Sequence, residues 1–329
     1  MKKLSLLGLA IFIGFNISYA CDLCSIYMNL EPNDLKNSFG LNYRKRLFKS
    51  SLEVFESSDN NTKHGAGDTD IANSVNQVEL YNTVDLWANY FISSKVQLFA
   101  SISLSENSYS EGDSLLYNIS GLGDISIVSK YLLYNTQATD SSQFSIRLLA
   151  GGGIKIPTGS FNKTYTVTPF TSFKENTVYQ EPYTELDPHL QPGTGSLDFI
   201  ITNEFQIRYN NIGFSTTNSY RINTKNKNDF RFANRFNSNN YFFYLLKTKN
   251  LTFTPNWGVS LEYSKRDQLD GNEYLNSGGS VIFQNVGLKT YYKKMALGAA
   301  FWSPLRQQLN DQQLQNKNRI NFDLTYYFN

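Results

Sequence analysis

Residues 197–222 read LDFIITNEFQIRYNNIGFSTTNSYRI, and their parity decides the fold. Leu197, Phe199, Ile201, Phe205, Ile207 and Tyr209 fall on one parity, interrupted only by Asn203. Asp198, Ile200, Thr202, Glu204, Gln206 and Arg208 fall on the other. Side chains of a strand point alternately to opposite faces, so this is a ribbon with one greasy side and one wet side. Asn210-Asn211 reads as a tight turn. A second ribbon follows, with Ile212, Phe214, Thr216, Tyr220 and Ile222 against Ser215, Thr217, Ser219 and Arg221. Both are longer than the roughly 5–6 residues usual in a soluble sandwich.

The same parity recurs on both sides of this hairpin. Phe39, Leu41 and Tyr43 oppose Asn42, Arg44 and Arg46. Val84, Leu86, Ala88 and Tyr90 oppose Thr83, Asp85 and Asn89. Further ribbons run through 96–105, 144–156, 251–263 and 320–328, with less regular ones near 122–134, 229–246, 277–291 and 294–302. The count is about twelve. A sandwich also alternates, so parity alone does not separate a sandwich from a membrane barrel. Strand length, export and aromatic content do. The expectation is an all-β chain: a closed antiparallel transmembrane β-barrel of about 12 strands.

Composition agrees. The 329 residues include 24 Phe and 22 Tyr. Mean hydropathy is −0.39, which excludes a bundle of membrane helices. Without the two lysines of the first twenty residues, basic and acidic residues balance at 28 each. Such neutrality argues against a nucleic-acid partner. Residues 1–20 have the form of a signal peptide: Lys2 and Lys3, an apolar run from Leu4 to Phe15, and Ser18-Tyr19-Ala20 before a cleavage point. Residues 21–36 would then be a periplasmic segment and 37–329 the barrel. Acylation of Cys21 is the alternative, although Ser18 stands where a lipobox wants Leu.

Connection lengths alternate. Those near 49–74, 106–121, 158–194, 265–276 and 303–317 are long. Those near 91–94, 210–211, 247–250 and 293–294 are short. Barrels have short periplasmic turns and longer external loops, so an even strand count puts both termini in the periplasm. The chain ends Tyr326-Tyr327-Phe328-Asn329, one residue past the terminal aromatic that outer-membrane insertion machinery reads. The expected partners are therefore that machinery, the outer-membrane bilayer of a Gram-negative cell and a small solute.

Four short motifs fall at ribbon ends: Gly121-Leu122-Gly123-Asp124, Lys155-Ile156-Pro157-Thr158-Gly159, Pro192-Gly193-Thr194-Gly195-Ser196-Leu197-Asp198 and Ser277-Gly278-Gly279. As an ordered set over 121–329 they resemble the MetA-pathway of phenol degradation family, whose members are outer-membrane, transporter-like barrels. The resemblance implies a channel-like barrel and does not make phenol the substrate. Read for their own chemistry, the motifs are devices of the rim. Glycine permits a loop-to-strand switch, and Pro157 sits where ladder pairing must stop.

The charged parity gives candidates for the lining of the lumen: Arg44, Arg46, Asp85, Arg147, Lys155, Asp198, Glu204, Arg208, Arg221, Glu262 and Asp323. Twelve strands lie between the packed interior of eight and the water channel of sixteen, so a narrow or plugged passage is expected. The loop 158–194 is the candidate lid, with Phe170, Phe173, Tyr179 and Tyr183 as candidate constriction residues. Cys21-Asp22-Leu23-Cys24 supplies two thiols where tetrahedral zinc wants four ligands, so Cys21 and Cys24 are weak metal candidates. No metal or other cofactor is expected. The sequence has no GxSxG elbow and its two His fall in loops, so an enzyme is not expected. The functional expectation is passive uptake or export of a small compound, hydrophobic and aromatic compounds being considered first. The alternatives are a general or ion-selective porin and a non-conducting structural or adhesive barrel.

Overall fold

The computed structural model describes residues 36–50, 76–112, 114–136, 143–165, 170–171, 178–179 and 184–328. The expected leader, Cys21, Cys24 and most of the first long connection lie outside the described residues, as do Phe173 and Tyr183.

The long strands are β1 (Asn37–Lys49), β2 (Gln77–Phe91), β3 (Val96–Glu111), β4 (Ser114–Leu122), β5 (Ile125–Thr136), β6 (Phe144–Ile156) and β7 (Asp198–Tyr209). They continue with β8 (Ile212–Ile222), β9 (Arg235–Tyr244), β10 (Leu251–Ser264), β11 (Gly279–Tyr292), β12 (Met295–Leu309) and β13 (Gln315–Phe328). β4 and β5 are successive halves of one stave, both laid against β3. The result is a closed antiparallel barrel of 12 staves. It closes where β13 pairs with β1, with Phe328 opposite Asn37. Closure removes both sheet edges. The two strand termini meet at the end with the short turns, as the alternation of connections predicts.

Two of the long connections are in fact mostly strand. β3 runs to Glu111 and β4 starts at Ser114, so 106–121 is a hairpin. β12 and β13 likewise leave only 310–314 between them. Above the membrane both faces are wet and the apolar period disappears, while the ladder hydrogen bonds continue.

The outer face carries an apolar belt. Its register can be followed through Leu297, Leu324, Leu41, Leu86 and Ile102, each opposite the next on the neighbouring strand. Aromatic pairs flank this row on β1 and β13: Phe39 against Tyr326 at 5.5 Å on one side, Tyr43 stacked on Phe322 at 6.5 Å on the other. Leu41 and Leu86 are exposed, an arrangement that only lipid stabilises. Leu41→Arg is expected to cost about 2–4 kcal/mol if the belt faces acyl chains. Urea titration of the variant in bilayers measures this, and a cost near zero would place Leu41 in water.

The interior is packed. Tyr241, Phe243, Val281, Phe283 and Trp302 form one buried apolar cluster on β9, β11 and β12. Trp87, Phe99, Val128 and Ile200 form a second on β2, β3, β5 and β7. Interior charges lie between and around them.

Candidate functional site

The eleven charged candidates take different places in the barrel. Arg44 Nη2 lies 3.7 Å from Asp85 Oδ2, and Asn42 donates to the same oxygen at 3.2 Å. Glu262 receives both arms of Arg319, at 2.6 and 3.0 Å, with that guanidinium 4.0 Å above the Phe283 ring. Asp323 sits 3.2 Å from Lys289, and Glu204 2.5 Å from Lys130. Arg147 donates to Gln206 at 3.3 Å. Arg46 covers the Tyr81 ring at 4.8 Å. Arg208 departs from the set, because it turns to the Asn210 carbonyl at 3.1 Å, beside the short turn. Except for Arg208 and Asp323 these candidates are under 9% exposed, Asp198 reaching 0% and Glu262 2%. A wide aqueous bore would leave such groups wet. Here all of them but Arg221 are engaged by other side chains in a packed interior.

The rim motifs converge on Lys155. Its ammonium lies 2.7 Å from Asp124 and 2.8 Å from Asp198. It also donates to Thr194 Oγ1 and, at 3.2 Å, to the Ser196 carbonyl. Asp124 in turn accepts from the backbone N–H of Gly159 and of Thr194, each at 3.0 Å. Asp198 accepts from Ser196 Oγ at 2.9 Å and from the Thr224 N–H at 3.0 Å. Three stretches far apart in sequence are thus tied by one buried cation. The glycines allow the chains to touch. A Cβ on Gly159 would lie 2.6 Å from the Gly123 carbonyl carbon, and one on Gly193 2.7 Å from that of Gly159.

This knot directs the end of the loop inward. Leu186 and Leu190 are buried with Tyr81, and Phe48, Tyr109, Tyr117 and Ile119 pack against them. Asn107 donates to the Leu190 carbonyl at 2.8 Å. Pro188–Leu190 forms a single 3₁₀ turn, with Asp187 accepting from the His189 N–H at 2.8 Å. His189 bridges two carboxylates: Nδ1 is 2.7 Å from Asp187 Oδ1 and Nε2 is 2.6 Å from Asp267 Oδ2. Tyr274 donates to the other oxygen of Asp187 at 3.2 Å. Phe230 and Phe232 meet the imidazole edge-on at 5.9 and 5.6 Å. Burial disfavours the imidazolium. Asp187 and then Asp267 outweigh it and hold His189 protonated up to about 10. Burial likewise opposes ionisation of Asp187, but the His189 charge and its hydrogen bonds bring that carboxyl down to about 2.

Beneath and beside this segment lies a cavity of about 420 Å³, lined in part by Arg46, Glu79, Tyr109, Tyr117, His189 and Arg221. A smaller one of about 60 Å³, also touching His189 and Arg221, lies against Arg44, Asp85 and Lys155. Of the expected constriction residues, Phe170 and Tyr179 pair across a two-residue ribbon. The side chains of Phe170 and Tyr179 lie outside the described part, as do Phe173 and Tyr183 altogether. The described residues seated in the mouth are Leu186, Asp187, His189 and Leu190. Asp187 and His189 are readable as polar loop residues, but their partner Asp267 lies 78 residues from His189 and carries no local signal. Asp124 and Thr194 stand inside the rim motifs, which was the available clue.

No family model matches the sequence, and no curated protein matches it. Among solved structures the barrel is similar to an outer-membrane channel from Pseudomonas putida F1, at a TM-score of 0.55 and 12% identity, over 92% of this chain and 99% of that one. Looser likenesses are the beta domain of the Bordetella autotransporter BrkA, with a TM-score of 0.44, 10% identity and 90% and 100% coverage, and the transport unit of AIDA-I from Escherichia coli, with 0.45, 7%, 92% and 93%. At these identities the likeness is one of fold. With the lipid-facing belt and the aromatic rows beside it, the chain is an outer-membrane β-barrel.

Proposed function

We propose that this barrel is a gated, narrow outer-membrane channel for a small solute and has no catalytic role. The observation that supports this reading is the end of the 158–194 loop, seated in the outer mouth above a cavity by two buried leucines and a few polar bonds. Its residues Asp187 and His189 are partly exposed, and their main anchors are a few charged contacts. A segment held this way opens at modest cost, as lids and gating loops do. The resemblance of the rim motifs to the phenol-degradation family favours a channel and suggests aromatic or other apolar cargo. The filled interior weighs against the general porin. It equally suits the non-conducting barrel, which is kept as the second reading.

Planar-bilayer recording separates the two. A gated channel gives a closed baseline with brief openings, and these become frequent when the mouth segment is cut out. A non-conducting barrel stays silent in both forms, and a steady open current in the wild type would restore the porin.

A further inference from the structure

The mouth cavity contains a cation that the protein leaves unanswered. Arg221 stands near the upper end of β8, 7% exposed, and lines both the larger cavity and the smaller one. Among the described residues its guanidinium makes no hydrogen bond or ion pair, and Nη2 is buried without a partner. Its cross-strand neighbour is another guanidinium, that of Arg235, which lies 3.8 Å from Asp267. The nearby anions are engaged elsewhere, Asp198 on Lys155 and Asp267 on His189. A buried guanidinium without a counter-charge is unfavourable, so this site is complete only when an anion occupies it.

The chemistry of the cavity narrows that anion. The planar fork of arginine matches a carboxylate through two parallel hydrogen bonds. Glu79 and Asp187 line the same space and repel a second negative charge. Flat rings share the lining: Tyr109 and Tyr117 stack at 5.1 Å with 16° between their planes, and Phe232 joins them. A volume of about 420 Å³ lies within the range of small-molecule sites. We propose that the outer mouth binds a small monocarboxylate with a flat apolar body, its carboxylate held by Arg221. This names a solute class for the channel proposed above and rests on that reading for its place on a path across the membrane.

The test uses the full chain in detergent micelles, with benzoate as the probe and benzyl alcohol and inorganic phosphate as controls, titrated calorimetrically. The wild type should bind benzoate saturably and more tightly than phosphate. Arg221→Gln should weaken benzoate about tenfold or more, and Arg221→Lys should fall between, because it keeps the charge but not the fork. Benzyl alcohol should bind weakly and equally to all three. Folding of each variant is read from its heat-shifted gel band. Should the glutamine variant not fold, the lysine variant decides alone. Equal benzoate affinity with and without Arg221, absence of binding, or a preference for phosphate would overturn the site. Bilayer recordings on the same preparations keep the two ideas apart. Benzoate binding without current removes the channel and keeps the site, whereas current without benzoate binding does the reverse.

Discussion

Lys155→Met is expected to prevent assembly of a normal barrel or to release the segment 186–194 from the mouth. The lysine is the single cation between Asp124 and Asp198, and its side chain is 2% exposed. Removing it leaves two carboxylates facing each other away from water. Breaking a buried pair in this way costs about 3–5 kcal/mol. The burden falls on three places at once, because the Gly159 and Thr194 amides and the Ser196 hydroxyl are oriented by the same carboxylates. The heat-shifted band on gels and the protease sensitivity of the loop report the loss. Adding Asp198→Asn to Lys155→Met should restore part of the assembled fraction, since only one charge then stays unpaired. A lysine variant as well assembled as the wild type would show that the knot carries little of the fold.

Asp267→Asn is expected to turn a pH-indifferent closure into a pH-dependent one. In the wild type His189 keeps its proton up to about 10, against 6.5 for a free imidazole. A raised folded-state pKa stabilises closure fully below 6.5, and that contribution disappears as pH climbs through about 10. Asp187, lowered from 3.8 to about 2, contributes above 3.8 and ceases to contribute as pH falls through about 2. Asp267 is also lowered, with burial opposed by the hydrogen bond and charge of His189. Open probability in bilayers should therefore be flat between about pH 5 and 8. Replacing Asp267 removes a carboxylate that is 2% exposed at its side chain. The cost is about 2 kcal/mol, less than for a fully buried pair because the His189 ring is partly open to water. Openings should rise more than tenfold, and the imidazole should now titrate nearer neutrality, giving more openings at pH 8 than at pH 5. A flat profile in the variant would detach His189 from gating.

Much of the barrel was legible because lipid imposes a strict rule. Every second residue of a spanning strand must be apolar outside, and the interior of a mixed-charge barrel must be polar or packed. That is why parity alone separates Phe199 and Ile201 from Asp198 and Glu204. The rule fails where the constraint stops. Residues 106–111 and 303–309 continue as strand beyond the belt, and with water on both sides their sequence has no period to read. It also missed interior apolar clusters such as Val281, Phe283 and Trp302, since an apolar residue on the inner parity looks like noise. The partners of the site were hidden for a different reason. Lys155 and Asp198 were visible as charges, but their pairing depends on register across β6 and β7. The His189 to Asp267 contact joins two loops whose approach only the closed barrel dictates.

The three tryptophans allow the most direct test of the claim that lipid covers one face of these strands and side chains fill the other. Trp257 is 51% exposed on the outer face, stacked 6.4 Å from Phe242, whereas Trp87 and Trp302 are buried inside at 6% and 2%. In single-tryptophan variants reconstituted into bilayers of brominated-chain lipid, Trp257 fluorescence should be strongly quenched and that of Trp87 and Trp302 nearly untouched. Quenching of Trp87 and Trp302 with Trp257 spared would turn the barrel inside out, and no quenching of any of the three would take it out of the membrane.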